Sequence, residues 1–506
     1  MDNLKLALSS VATVCFLLWA RREYSERKIS SIPAVGASGI WAYYTGGWRY
    51  LFRAPEMVEE GCRKYRGRVF RVPRLFRWDF IISGSTLVQE AVTAPENVLS
   101  LAAANRDSLQ IDLTMGPDIS RNPFHIDAVR TKVTRNLSRC FPGIRDEISS
   151  AFDELLALDE NDGKLVTVLP LMMQVAARTT NHLFVGLPIC RNQDYLNLVV
   201  QYTIDVALRA QLISLLPSFL QPILGPFISS RNQSIRQGIK HLGPLIEYRI
   251  EQEKQHGPDW PGKPNDYISW LLESVDVLDE KTVSALVSRI LATNMAAIHT
   301  TSSVFTYALF DLTAYPTYVT ALRQEAEQAV EEFGWTKTAL NKMHKIDSFL
   351  RESQRMHDNG PVAMSRQVLD PMGFKFSDES VIPYGSILNI ASRAEHFSPA
   401  NYDHPDVFDG FRFSKKREDR EHTSGGGLFN QHMISTGVDH LAFGHKLHAC
   451  PGRFLAATEL KAMLAHLVVH YDLRAEIEGV RPPDDVFGIV IVPNRRGKLW
   501  FRKRQY

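Results

Sequence analysis

The chain has 506 residues, of which 44% are hydrophobic and 23% are charged, and its formal net charge is +2. This composition is typical of a globular protein and excludes disordered and collagen-like classes. The small net charge gives no electrostatic reason to expect a nucleic-acid partner. Its five cysteines lie far apart, which does not suggest a disulfide framework and fits a reducing compartment.

The N-terminal segment is apolar. Residues 4–20 read LKLALSSVATVCFLLWA, and four basic residues follow within 21–28, whereas Lys5 is the only one near the start. The run is marginal for a spanning helix, which needs about 20 residues. The positive-inside rule predicts that the following chain stays in the cytosol. We predict a transmembrane signal anchor over residues 1–22. A cleaved signal peptide is the alternative, although no small-x-small cleavage site follows.

The remaining chain shows one continuous pattern of helices with a few strands. Residues 23–40 contain Pro and Gly and predict a linker, and 41–506 predict a single large domain. Residues 66–95 hold short alternating runs, such as RVFRVP and DFIISG, which predict strands. Helical periodicity dominates from about 120 to 355, and strands return near 361–390 and at the C-terminus. The predicted fold class is mainly α with a minor β-sheet region.

Two segments within the helical part stand out. Residues 215–230, LLPSFLQPILGPFISS, are apolar and contain three prolines. They are predicted either to pack on the core as a loop or to dip into a membrane as a hydrophobic lip. Residues 280–315 contain no Gly or Pro and are apolar on most faces. They predict a helix of roughly 30 residues, about 45 Å long, through the middle of the protein.

A cluster of potential metal ligands lies in AFGHKLHACPGRFLAA, residues 442–457, which contains His445, His448 and Cys450. A structural zinc site needs four ligands, and no second close pair completes this set, so zinc is the weaker interpretation. Pro451 and the helical periodicity after it place Cys450 near the N-cap of a helix. There, the helix dipole and free backbone N–H groups are expected to lower the thiol pKa. A single thiolate in such a loop is a natural axial ligand for haem iron.

Several motifs around this loop resemble one family. Phe443-Gly444 before Cys450 and Pro451-Gly452 after it resemble the haem-binding loop of the cytochrome P-450 superfamily. Glu352 and Arg355, in FLRESQRMH, resemble the family's structural Glu-Arg pair, and Arg412, in PDVFDGFRF, resembles its third member. Together with HACPGR, the motif AAIHTTS is most similar to fungal membrane members of the ent-kaurene oxidase-like group.

The AAIHTTS motif supplies the expected catalytic residues. Thr300 matches the oxygen-activating threonine of the family, and it is expected to bond back to the backbone and loosen the helix. His299 stands where the family usually has Asp or Glu, and it could relay protons because its ordinary pKa is near neutrality.

The resemblance also implies the cofactor and its ligands. It implies a cytochrome P-450 fold with one haem b bound through Cys450 and contacted by Phe443. Residues expected to pair with or assist at the haem propionates are His448, Arg366, Arg130 and His125. Lys446 replaces a glycine of the family pattern, and a positive φ angle there would cost lysine about 1 kcal/mol.

The implied activity is that of a haem-thiolate monooxygenase. NADPH-cytochrome P-450 reductase would supply electrons, with cytochrome b5 as a second donor to consider. The substrate is expected to be an apolar fungal secondary metabolite such as a terpenoid. Candidate pocket walls are Met295, Ala296, Val362 and residues 487–490. The expected location is the endoplasmic reticulum membrane, with the catalytic domain, 41–506, in the cytosol. The alternatives are a thiolate-haem isomerase or dehydratase and a non-catalytic haem sensor.

Overall fold

The computed structural model describes residues 29–36, 40–75, 77–159, 162–275, 281–358, 360–421 and 431–505. The predicted signal anchor, residues 1–22, lies outside the described residues. Across these described ranges, no helix combines the length and the apolar character needed to cross a membrane.

Helices predominate, with short strands at several points, so the predicted fold class is confirmed. The α-helices of the described residues are α1 (Ile40–Lys64), α2 (Ser85–Thr93), α3 (Leu101–Ser108), α4 (Ile111–Thr114), α5 (Pro117–Arg121), α6 (Phe124–Asp127), α7 (Thr134–Leu156), α8 (Val168–Phe184), α9 (Gln193–Ser214), α10 (Gln221–Ile228), α11 (Arg231–His256), α12 (Tyr267–Glu273), α13 (Val283–Ala314), α14 (Val319–Phe333), α15 (Lys337–Lys342), α16 (His344–Met356), α17 (Ser392–His396), α18 (Arg412–Glu421) and α19 (Arg453–His470). The strands are β1 (Phe70–Arg74), β2 (Arg77–Ile82), β3 (Leu99–Ser100), β4 (Lys164–Thr167), β5 (Ala363–Val368), β6 (Phe374–Lys375), β7 (Val381–Ile382), β8 (Ile387–Ile390), β9 (Tyr471–Ala475), β10 (Asp485–Phe487), β11 (Val490–Val492) and β12 (Lys498–Lys503).

The chain divides into two compact units, of which the first comprises residues up to Ala104 and Pro361–Glu395. It contains a five-stranded sheet in the order β1-β2-β8-β5-β3, in which β2 and β8 are parallel and the other pairs are antiparallel. The described part of the predicted linker joins this sheet, because the Val35 N–H donates to the Arg71 carbonyl at 3.0 Å.

The strand prediction for residues 66–95 was correct only for its first two runs. RVFRVP and DFIISG overlap β1 and β2, but residues 85–93 form α2. The buried side chains of α2 are Leu87, Val88, Ala91 and Val92. Their spacing repeats every three to four residues, which is the period of one helix face. A helix therefore buries this apolar set better than a strand would.

The second unit, Asn105–Gly360 and His396–Tyr506, is mostly helical and is built around α13. This helix has 32 residues, as the unbroken segment predicted, and it packs against α8, α9, α11 and α19. Thr282 caps it, because the Thr282 Oγ1 accepts a hydrogen bond from the Ala285 N–H at 3.3 Å. Most of its side chains are buried, which accounts for its apolar character on nearly every face.

The apolar segment 215–230 is exposed. It contains α10, and the exposed fractions of Phe219, Ile223 and Phe227 are 69%, 60% and 85%. The alternative in which this segment packs on the core as a loop was therefore wrong.

A buried cluster of one glutamate and two arginines links α16 to the start of α18. Arg355 donates to both carboxylate oxygens of Glu352, at 2.8 and 2.7 Å, and Arg412 Nε donates to the same carboxylate at 3.1 Å. Glu352 and Arg355 are fully buried. Arg355 also donates to the carbonyls of His396 and Pro405. The predicted Glu-Arg-Arg scaffold is present, and its single carboxylate offsets part of the charge of the two guanidiniums away from water.

Candidate active site

The Cys450 loop is held by backbone hydrogen bonds. The Cys450 N–H donates to the Phe443 carbonyl at 2.7 Å, and the Arg453 side chain donates to the Cys450 carbonyl at 3.0 Å. Gly444 lets the chain fold back, because its φ is +68° and a Cβ there would lie 2.8 Å from the His448 carbonyl oxygen. Only glycine fits at this position.

The surroundings of the Cys450 sulfur differ from the prediction. Burial raises the pKa of the Cys450 thiol, while the backbone N–H groups of Gly452 and Arg453 act in the opposite direction. The N-cap of α19 is Gly452, so Cys450 lies two residues before the cap. The predicted lowering of the pKa was wrong, because desolvation outweighs the helix terminus. A bound metal cation would add the charge that holds such a sulfur as thiolate.

Lys446 adopts the backbone conformation predicted for the glycine it replaces. It begins the short 3₁₀ turn Lys446–His448, and its φ is +54°. Its side chain is exposed, as is that of Leu447. The left-handed conformation therefore serves the path of the loop, and within the described part of the chain no hydrogen bond or ion pair of the Lys446 side chain offsets its cost.

A histidine outside the loop anchors the chain that leads into it. The Leu441 N–H donates to His396 Nε2 at 2.9 Å, which places the ring proton on Nδ1, 3.1 Å from an oxygen of Asp358. The hydroxyl of Tyr402 also donates to the Asp439 carbonyl at 2.9 Å. No sequence motif indicated these positioning residues. They lie about 40 residues or more from their backbone partners, so no local motif marks them.

Thr300 lies on an exposed strip in the middle of α13. Its Oγ1 donates to the Ala296 carbonyl at 2.7 Å, and both residues are exposed on a helix that is otherwise mostly buried. The predicted back-bond is present, but the helix is continuous through Thr300, so the predicted loosening is not observed. Because α13 packs against α19, the Thr300 motif and the helix after Cys450 belong to one packed body.

The neighbour of Thr300, His299, is in an apolar environment. Burial lowers the pKa of His299 below its ordinary value of 6.5. A neutral imidazole is therefore favoured near neutral pH. The His299 side chain is therefore uncharged near neutral pH, whereas the Asp or Glu that the family usually has at this position carries a negative charge.

Two predicted propionate ligands lie near the start of α7 and differ in exposure. His125 is buried on α6, and its Nδ1 has no hydrogen-bond partner among the described residues. Burial, followed by the nearby Arg289 charge, lowers the pKa of His125 to about 4. Arg130 lies in the π-helical segment Ala128–Val133, where it is exposed and bonds to Asp127 at 3.1 Å.

The other two predicted propionate ligands are His448 and Arg366. His448 is half-buried at the end of its 3₁₀ turn. Arg366 belongs to the first unit, where it is 1% exposed on β5. Its Nη1 donates to the carbonyls of Met364 and Ser365, and its Nη2 has no partner within the described ranges. Burial lowers the pKa of Arg366 to about 10.

A zinc cluster does not form in the loop. Among the described residues, only Glu147, His182 and Cys190 bring three possible ligand atoms within 4.8 Å of one another. The carboxylate of Glu147 is already engaged by Arg178 and Arg191. His445 instead bonds through Nδ1 to the Thr436 hydroxyl at 3.0 Å.

The residues fit a haem group. In the second unit, a single sulfur is presented before the N-terminus of α19, and the buried Nδ1 of His125 retains unused hydrogen-bonding capacity among the described residues. In the first unit, the buried Nη2 of Arg366 does the same. Such atoms are costly to bury unless a ligand satisfies them.

The comparisons with known proteins agree with this geometry. The cytochrome P-450 family model matches residues 52–501. The chain belongs to the cytochrome P-450 family. Cytochrome P-450 monooxygenase 110 of Postia placenta is 36% identical over 500 residues, covering 98% of this chain and 97% of that protein. Cytochrome P-450 monooxygenase CYP512U6 of Ganoderma lucidum is 31% identical over 506 residues, covering 100% and 97%.

A solved structure shares the fold of this cytochrome P-450. The retinoic acid-bound cyanobacterial CYP120A1 superposes with a TM-score of 0.68 at 16% identity, covering 94% of this chain and 99% of that one. The protein is therefore a cytochrome P-450 monooxygenase, and its family implies a haem cofactor.

Proposed function

We propose that this monooxygenase uses electrons that NADPH-cytochrome P-450 reductase supplies to insert one oxygen atom of O₂ into a C–H bond. The substrate is an apolar fungal secondary metabolite, with terpenoids as the leading class. The observation that carries the proposal is the Cys450 loop, in which the backbone bond to Phe443 and the turn at Gly444 present one half-buried cysteine. The bound haem b supplies dioxygen activation and electron transfer.

The protein's own residues hold and move protons near Thr300. The Thr300 hydroxyl donates its proton to the Ala296 carbonyl. Its oxygen can therefore still accept a hydrogen bond from a donor on the exposed side of α13. His299 is neutral near pH 7 because it is buried, and a neutral ring can accept a proton at one nitrogen while it donates from the other. We assign Thr300 to proton delivery and His299 to the relay.

The propionate ligands follow from burial and charge. Arg366 is the strongest candidate because it is a buried guanidinium with an unused Nη2 within the described chain. To bind a propionate, Arg130 would have to give up its exposed ion pair with Asp127. The loss would be small, because exposed ion pairs stabilise a protein by only about 0.2–1 kcal/mol. His125 and His448 complete the proposed set.

The exposed apolar side chains of 215–230 support a location at the endoplasmic reticulum membrane. Phe219, Ile223 and Phe227 lie within or just before α10, and each exposes apolar surface there. We propose that this surface contacts the bilayer, with the catalytic domain in the cytosol.

The first test is the carbon monoxide difference spectrum of the reduced protein. We expect the red-shifted Soret band of thiolate ligation, and we expect Cys450→Ser to abolish it. The matched control is Cys140→Ser, which changes a half-buried thiol that contacts Asn265. A red-shifted band that survives Cys450→Ser would contradict the ligand assignment.

The second test measures NADPH use against product formation with purified reductase. Thr300→Ala should lower product per NADPH by about tenfold or more, because a general acid typically contributes about 10²–10⁴-fold. Thr300→Ser keeps the hydroxyl and should restore coupling. Turnover without NADPH would favour an isomerase or dehydratase, and a haem protein without turnover would favour a sensor.

A further inference from the structure

A polar cavity of about 220 Å³ lies at the N-terminal end of α13. Its walls come from residues 115–119, the start of α11 and the first two turns of α13. Pockets for whole drug-sized ligands span about 300–1,000 Å³, whereas one water occupies about 30 Å³ of liquid. The cavity therefore suits one chemical group with a few waters and not a complete metabolite.

Arg231, the first residue of α11, supplies one guanidinium to this cavity. Its Nε is buried and has no hydrogen-bond partner in the described part of the chain. The side chain rests against Gly116, whose φ is +119°, and a Cβ at Gly116 would lie 2.7 Å from Arg231 Nη2. A glycine thus leaves room for a partly buried cation with an unsatisfied donor, and an anion would satisfy that donor.

Arg289 supplies the second guanidinium and is 1% exposed. It donates to the carbonyls of Ala285 and Asn122 at 3.2 and 3.3 Å, and it lies 4.2 Å above the Phe124 ring. These contacts hold the guanidinium at a defined position beside the cavity. Two cationic groups from different helices thus line the same small space.

The start of α13 adds hydrogen-bond donors. Thr282, Ser284 and Ser288 line the cavity. The Ser288 hydroxyl donates to the Ser284 carbonyl at 2.8 Å, so the Thr282 and Ser284 hydroxyls are the donors that face a ligand. The first-turn N–H groups of a helix lack intrahelical acceptors, and of these the Ala285 N–H donates to the Thr282 cap. The one carboxylate in the lining is Asp118, whose side chain is 63% exposed and lies 3.9 Å from Arg121. The buried part of the lining is therefore cationic, and the acidic group lies toward the solvent.

We propose that this cavity binds the phosphate group of a ligand, either a soluble phosphate ester or a phospholipid head group. A tetrahedral anion can accept hydrogen bonds from donors in several directions, as two guanidiniums, two hydroxyls and a helix N-terminus provide. The site is separate from Thr300, because Arg289 and Thr300 are 11 residues apart on α13, which is about 16 Å along its axis.

The test is calorimetric titration of the haem-loaded, full-length protein with inorganic phosphate at constant ionic strength, with acetate and chloride as reference anions. We expect saturable phosphate binding that Arg231→Gln weakens by about tenfold or more, as the loss of a charged hydrogen bond predicts. Arg236→Gln is the matched control, because Arg236 is exposed on the same helix. Ser284→Ala, a milder change within the cavity, should weaken binding severalfold. The haem absorption spectrum of each variant reports folding independently.

A water-soluble short-chain phosphatidate, titrated in parallel, distinguishes the two sources. Binding about tenfold or more tighter than that of phosphate assigns the site to a lipid head group. Equal affinity assigns it to a soluble phosphate. No saturable phosphate binding by the wild-type protein, or equal affinity in Arg231→Gln and Arg236→Gln, overturns the proposal.

Discussion

Replacing Glu459 by Gln should remove a large pH dependence from the stability of this fold. Glu459 lies on α19 and is 1% exposed. Burial raises its pKa from 4.5 to about 8, although the Thr180 hydroxyl, which donates to its carboxylate at 3.1 Å, acts in the opposite direction. Near neutral pH the folded protein therefore keeps a proton on Glu459 that the unfolded chain releases.

The sign and size of the effect follow from this difference. Below pH 4.5 both states hold the proton, and the stabilising contribution is complete. Between pH 4.5 and about 8 only the folded state holds it, so the free energy of unfolding falls as the pH rises. At 1.36 kcal/mol per pH unit, the total loss is about 5 kcal/mol. Above pH 8 the contribution no longer changes.

The assay is chemical unfolding of wild-type and Glu459→Gln protein, followed by far-UV circular dichroism, at several pH values from 5 to 8. The glutamine cannot ionise and keeps an oxygen that accepts from Thr180. We expect the wild type to lose about 1.4 kcal/mol per pH unit relative to the variant. Glu331→Gln, an exposed glutamate on α14, is the control and should follow the wild-type profile. Parallel profiles for wild type and Glu459→Gln would refute the reasoning.

Three further substitutions test the loop and the scaffold. Lys446→Gly should stabilise the protein by about 0.5–1 kcal/mol, because relief of about 1–2 kcal/mol of left-handed strain exceeds the entropy cost of glycine. Gly444→Ala should destabilise it by about 1–3 kcal/mol and speed haem loss, because the new Cβ meets the His448 carbonyl. Glu352→Gln should cost about 3–5 kcal/mol, because it leaves the buried charge of Arg355 undercompensated.

Chemical unfolding and the rate of haem transfer to apomyoglobin measure these effects. Lys446→Ala keeps a Cβ, so a gain as large as that of Lys446→Gly would contradict the strain argument. Gly479 has a φ of +72° with no atom near its missing Cβ, so Gly479→Ala tests strain without the clash. If Gly479→Ala lost haem as fast as Gly444→Ala, the clash with the His448 carbonyl would not be the cause of the faster haem loss. A Glu352→Gln protein as stable as Glu331→Gln would contradict the charge argument.

The features that depend on neighbouring residues could be predicted from the sequence. The unbroken apolar segment predicted α13 because helical periodicity is a local property. The resemblance of the Cys450 loop to the family implied the positive φ at Lys446, because the family has glycine there and glycine commonly adopts such a φ. The Glu352–Arg355 contact is also local, since residues three apart share a helix face.

The environment of each side chain was decided only by the tertiary structure. Burial reversed the predicted shift of the Cys450 thiol pKa, because desolvation depends on all the segments that pack around the sulfur. The cavity beside Arg231 and Arg289 likewise joins three elements that lie far apart in the sequence. The sequence alone thus determined periodicity, turns and the family motifs. Solvation and charge pairing arise from contacts between distant segments, so only the folded chain settled which polar groups are satisfied.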